Sequence, residues 1–127
     1  MNKKFKIWLI YEKRFITNKF SIECNPKTNE IWIIEYTANH FYHYQKDEFE
    51  IVNYININDM NDKEIYEGDI VKNKDRDEIY IIKWEKIEFV CFNIDDKDNY
   101  TIWALVGSQV EIIGNKYENE ELLKGDK

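Results

Sequence analysis

The chain has 127 residues, 18 basic and 25 acidic side chains, a formal net charge of −7, and 43% hydrophobic and 16% aromatic residues. This apolar content suits one compact domain or two very small ones sharing a core, and it excludes a disordered chain. No run approaches the ~18–20 apolar residues of a membrane-spanning helix, and two cysteines, Cys24 and Cys91, exclude a disulfide-stapled scaffold.

The start, Met1-Asn2-Lys3-Lys4, is basic, but Phe5–Tyr11 is interrupted by Lys6 and followed by Glu12. It lacks the apolar stretch and small-residue cleavage site of a signal peptide, so a cytoplasmic protein with reduced cysteines is expected. Strands are predicted over Phe5–Tyr11, Phe15–Glu23, Glu30–Tyr36, Phe49–Ile55, Asp69–Lys72, Glu78–Trp84, Glu88–Ile94, Tyr100–Val106 and Gln109–Ile113. All are rich in Ile, Val and aromatics, which suit a pleated, half-buried surface. Tyr80, Ile82 and Trp84 alternate onto one face, as do Val90, Phe92 and Ile94, and the short gap between these runs predicts a hairpin. With four Gly and one Pro in the chain, Asn and Asp must serve the turns, since both tolerate the left-handed region. Asn25–Asn29, Asp59–Lys63 and Asp95–Asn99 read as turns, and the second divides the chain into regions 1–58 and 59–127. At the end, Asn119 is expected to cap a short helix whose Leu122 and Leu123 pin it down, with Lys124–Lys127 frayed. The fold class is mainly β, a β-rich α+β protein.

No constellation for catalysis emerges. His40 and His43 share an His-x-x-His spacing that on a helix would suit zinc, but an extended Asn39–Tyr44 sends the rings to opposite faces. Asp95, Asp96 and Asp98 lack the glycine and distal acid of a calcium loop and read as a solvated hairpin tip. Cys24 and Cys91 read as inert thiols by default. Nucleophile elbows and glycine-rich phosphate loops are absent from the sequence. No enzyme, no cofactor and no metal are therefore expected. Trp8, Trp32, Trp84 and Trp103 with nine Tyr suit base stacking, but residues 1–64 carry a net −1 and residues 65–127 a net −6. Carboxylates repel phosphates over roughly a Debye length, ~8–10 Å, so nucleic acid is not the expected direct partner.

The segment Asp59-Met60-Asn61-Asp62-Lys63-Glu64-Ile65-Tyr66-Glu67-Gly68-Asp69-Ile70-Val71, with Ile113-Gly114-Asn115-Lys116-Tyr117-Glu118-Asn119-Glu120-Glu121-Leu122-Leu123, resembles the YopX family of phages and prophages of low-GC bacteria. Phe5-Lys6-Ile7-Trp8 resembles its first strand, and Asn53-Tyr54-Ile55 its Tyr-containing run. Leu9, Ile55-Asn56-Ile57, Asp62 and Glu120 depart from the family pattern, and the N-terminal half diverges most. The resemblance implies an N-terminal β-sheet region packed on a C-terminal SH3-like barrel with a short terminal helix. Its motif residues are Trp8, Tyr54, Tyr66, Glu67, Gly68, Asp69, Gly114, Asn115, Tyr117, Glu118 and Asn119. Gly68 permits a tight approach or a positive φ, Asp69 can hold backbone donors, and Tyr66 offers a ring to the core and a hydroxyl to a polar partner, so folding alone explains the motif. The expected function is noncatalytic binding of a host or phage protein, with an acidic surface at Asp95, Asp96 and Asp98 that mimics nucleic acid in an anti-CRISPR-like inhibitor of antiviral defence. The alternatives are a single-stranded nucleic-acid-binding module using exposed aromatics, and a structural protein that forms a homo-oligomer through strand edges.

Overall fold

The structure, a computed structural model, describes residues 4–106 and 109–124. It contains two compact units, Lys6–Val52 and Met1–Phe5 with Asn53–Lys127. The Asp59–Lys63 turn lies in the unit that holds Asn53–Lys127. It joins two paired strands as a hairpin within the second of these units.

In the unit Lys6–Val52, β1 (Phe5–Leu9) turns through Lys13, whose φ is 54°, into β2 (Arg14–Phe15). Trp8 lies opposite Phe15, with ring centroids 4.8 Å apart. The strand predicted over Phe15–Glu23 is broken after Phe15: Ile16 is buried, Asn18 turns its amide to Glu35, and β3 (Phe20–Cys24) starts anew. β3 pairs antiparallel with β4 (Ile31–Tyr36), and β4 with β5 (Phe41–Tyr44), giving the order β3-β4-β5. The predicted turn at Asn25–Asn29 is held by Asn25, whose Oδ1 accepts the Lys27 N–H at 2.9 Å, and by Asn29 at φ 61°. β5 was not predicted, because four consecutive rings, Phe41-Tyr42-His43-Tyr44, erase the period-two contrast that marks a strand. A 3₁₀ turn, Lys46–Glu48, leads into β6 (Phe49–Asn58), whose first residues, Phe49–Val52, end this unit.

In the other unit, β6 continues into the pairing with β7 (Glu64–Tyr66). The five-stranded sheet has the order β11-β10-β9-β8-β12, from β8 (Asp69–Asn73), β9 (Glu78–Glu85), β10 (Glu88–Asn93), β11 (Asn99–Thr101) and β12 (Val110–Asn115). It curls into a half-barrel with β11 and β12 as its edges, and the chain is mostly β, as expected. Ile55 of β6 and Ile65 of β7 pack with Val71, Tyr80, Ile82, Cys91, Leu105 and Val110 into one core. The predicted hairpin is β9–β10, which places Ile82 opposite Cys91 and turns at Lys86, φ 56°.

Two corrections concern short helical turns. The strand predicted over Tyr100–Val106 ends at Thr101, and Ile102–Leu105 is a 3₁₀ turn. A 3₁₀ turn eclipses positions i and i+3, which lets Ile102 and Leu105 both reach the core. The terminal helix is a 3₁₀ turn, Glu120–Leu123, and the Asn119 side chain does not cap it. Of the end expected to fray, residues 125–127 lie outside the described residues. Among the described residues, no helix is long and apolar enough to cross a membrane.

Candidate functional site

Tyr66, Glu67, Gly68 and Asp69 form the turn from β7 into β8. Asp69 Oδ2 accepts the Tyr66 N–H at 2.7 Å. Tyr66 is buried, and its hydroxyl donates to Glu64 at 3.0 Å. Burial first, and then the Glu64 carboxylate, push this phenol up to about 12. Tyr54 lies opposite Tyr66 with ring centroids 5.7 Å apart, and Glu67 Oε1 accepts the Asn53 backbone and side-chain N–H groups at 2.9 and 3.0 Å. Gly68 has φ 86°, donates its N–H to Ile82 at 2.7 Å and accepts the Lys116 N–H at 2.8 Å. A Cβ on Gly68 would lie 2.8 Å from the Tyr117 ring.

Tyr117 belongs to the second motif, which β12 brings against the first. Asn115 Oδ1 accepts the N–H groups of Tyr117 and Glu118 at 3.0 and 2.8 Å, and its amide donates to the Glu118 carboxylate at 2.9 Å. Asn119 Oδ1 accepts the Asn115 N–H at 3.1 Å, so it secures the end of β12. A Cβ on Gly114 would meet that Oδ1 at 2.8 Å. The two motifs thus form one joint whose polar groups hold backbone or one another. Asp59, which opens the first family-like segment and was read as a turn residue, belongs to the same structure. It is 7% exposed, and its carboxylate accepts the N–H groups of Asn61, Lys63 and Ile112 at 2.8, 2.9 and 3.0 Å. Burial acts to raise its pKa, but the three donors outweigh it and hold the carboxyl below the usual range.

Asp95, Asp96 and Asp98 are exposed in the β10–β11 loop. Buried Asn93 sets the loop: its Oδ1 accepts the N–H groups of Asp95 and Asp96 at 2.8 and 3.2 Å, and Lys97 has φ 64°. The Tyr100 hydroxyl donates to Asp96, and that bond, with burial second, pushes the phenol up to about 12. The β8–β9 loop repeats the device. Buried Asn73 accepts from Asp75 and Arg76 at 3.0 and 3.3 Å, and Asp77 has φ 55°. Because β9 and β10 are antiparallel, both loops lie at one end of the half-barrel and expose Asp75, Asp77, Asp95, Asp96 and Asp98 there. The sequence reading missed the second loop, whose signal was the repeated Asn-x-Asp spacing at Asn73 and Asn93.

A charged cluster in the unit Lys6–Val52 was missed altogether. Glu35, on β4, is 0% exposed. Arg14 holds it in a two-pronged pair (Nη1 and Nη2 to the carboxylate oxygens, 3.0 and 2.7 Å), and Asn18 donates to it at 2.9 Å. The Tyr44 hydroxyl lies 2.9 Å from Glu12 and 3.1 Å from Glu35, and Arg14 Nε donates to Glu12 at 2.8 Å. Hydrogen bonding to Arg14 is the main cause that holds Glu35 below the usual carboxylate range, while burial, foremost, raises the Tyr44 phenol. One sequence signal existed: only two of the 18 cations are arginine, the side chain suited to a forked carboxylate pair.

Of the remaining candidates, Trp8 is a buried residue of β1. His40 precedes β5, and His43 lies within it, edge-on to Trp32 at 5.5 Å. Among the described residues, no group of three or more His, Cys, Asp or Glu is placed to hold a metal ion. Cys91 is buried, which pushes its thiol up to about 12, whereas Cys24 is exposed. Thiol titration of the native protein near pH ~8 is expected to consume Cys24 alone, with Cys91 reacting only after unfolding. Two thiols reacting at equal rates in the native protein would contradict this burial.

The model of the YopX protein family matches residues 4–124. Among solved structures, the chain is similar to protein yopX from Bacillus subtilis, with 15% identity over 100% of both chains and a TM-score of 0.67. It is also similar to protein EF1440 from Enterococcus faecalis, with 20% identity over 97% of this chain and 99% of that one and a TM-score of 0.62. No match is found among curated proteins.

Proposed function

The chain belongs to the YopX family, and on that footing we propose that it is a noncatalytic binding protein of phage or prophage origin that acts on a host or phage protein. Its target is a basic nucleic-acid channel of an antiviral defence protein, which the acidic end of the half-barrel occupies in place of nucleic acid. The observation that supports this reading is the paired loop. Asn73 and Asn93 hold two adjacent hairpin tips in set conformations, and exposed carboxylates project from both. Ordered like charges of this kind raise association rates with a cationic partner and are sensitive to salt.

Reversing the charges of Asp95, Asp96 and Asp98 to lysine is expected to weaken binding to the target captured from host cells by about tenfold at low salt and to flatten its salt dependence. Binding constants measured over a salt series check this, with thermal unfolding as a control for the fold. Unchanged affinity and salt slope would remove the electrostatic part of the reading. A second reading, a homo-oligomer joined through strand edges, is supported by β11 and β12 as the edges of the half-barrel and by β3 and β5 as the edges of the other sheet. The particle mass in solution distinguishes the two.

A further inference from the structure

We propose that the face of the β3-β4-β5 sheet around Trp32 docks a basic peptide segment of a protein partner, with an arginine or lysine side chain seated against the indole. This rests on the reading of the chain as a protein-binding module, but it uses a different surface from the acidic loops.

Residues opposed across an antiparallel pair share a face of the sheet. The register places Glu23 opposite Trp32, Ile34 opposite His43 and Tyr36 opposite Phe41. Alternation along each strand sets all six on one side. Only Ile34 of these is buried; Tyr36 is 39% and Phe41 62% exposed. His43 lies edge-on between Trp32 and Phe41, at 5.5 and 5.6 Å between ring centroids, so the rings form an open row.

Two hollows meet at Trp32. One, of about 360 Å³, is lined by Glu23, Asn25, Pro26 and His43 among others, and the other, of about 390 Å³, by Glu30, Gln45, Lys46 and Asp47. Three carboxylates therefore flank the indole against one ammonium. An indole face attracts cations, and the carboxylates strengthen that attraction. A phosphodiester would meet repulsion at the same place, so the row is unsuited to stacking single-stranded nucleic acid despite its aromatics. β5 is an edge of its sheet, and an extended segment added along it would send alternate side chains onto this face. Such a segment would carry arginine for the hollows and an apolar residue for Phe41.

The test is a titration of the isotope-labelled full chain with a capped peptide of about six residues whose alternate positions carry arginine, arginine and isoleucine, with serine between them, so that one face presents both residue types. The indole N–H signal of Trp32 is assigned with Trp32→Phe. The expected result is a saturable shift of that signal, lost when citrulline replaces arginine. Glu23→Lys, an exposed change that spares the fold, is expected to weaken binding about tenfold. The Asp95→Lys, Asp96→Lys, Asp98→Lys variant is expected to bind the peptide as before. The proposal is overturned if the peptide shifts only the acidic loops, if Trp32 does not respond, or if oligothymidylate produces the Trp32 shift instead. Unchanged affinity and salt slope of that variant for the captured target, with Trp32 still responding to the peptide, would count against the acidic-loop reading alone.

Discussion

Arg14→Ala is expected to destabilise the protein by about 3–5 kcal/mol, the usual cost of breaking a buried ion pair from one side. The low end of this range is the better guide, because the Arg14 side chain is 39% exposed. Glu35 has no exposure of its own and, among the described residues, would keep the side chains of Asn18 and Tyr44 as donors. Arg14→Lys should recover little, since an ammonium cannot span both carboxylate oxygens. Replacing both partners, Arg14→Met with Glu35→Leu, should recover most of the loss, because no buried charge remains. Urea unfolding midpoints at constant slope measure all three. A loss below ~1 kcal/mol in Arg14→Ala would show that Glu35 is not buried as described.

The same pair sets an acid limb. The folded-state pKa of Glu35 is depressed, with hydrogen bonding to Arg14 as the main cause and burial opposing it. A depressed carboxylate contributes stability that is present above its unfolded pKa, about 4.3, and is lost as pH falls through the lower folded value. Stability should therefore drop on acidification below about pH 4, and Glu35→Gln should flatten that drop while lowering stability at neutral pH.

Gly68→Ala is expected to cost about 2–3 kcal/mol, read as a lower unfolding midpoint. Two separate effects contribute. The backbone at φ 86° lies where a side chain is strained, and the new Cβ would sit 2.8 Å from the Tyr117 ring. Tyr117→Leu should relieve only the second effect, so the double variant should lose less than the sum of the two single changes. Strict additivity would mean that the ring is not against Gly68. Because Lys116 also bonds the Gly68 carbonyl, the lesion should loosen the end of β12 as well, visible as faster amide exchange there.

Gly68 and Asp69 were legible as a pair. A glycine beside an acid at a strand entry predicts a positive φ and a captured backbone N–H, and each effect needs only near neighbours. The loop at Asp95–Asp98 was legible for the same reason. Asn119 was misread because capping is a local rule, whereas its carbonyl oxygen instead takes the Asn115 N–H at the end of β12. Arg14 and Glu35 are 21 residues apart, and their meeting depends on the register of strands that no local pattern specifies.

The amino-acid sequence by itself determined a β-rich chain, most of its strands, its Asn- and Asp-based turns and its family, because period-two hydrophobicity, turn chemistry and motif order are local properties of neighbouring residues. Tertiary structure alone decided the strand order of the half-barrel, that two distant motifs close into one joint, that Glu35 is buried on Arg14, and that Trp32 shares its face with carboxylates. Each of these follows from strand register, which sets which side chains oppose one another and is selected only by the packing of the whole fold.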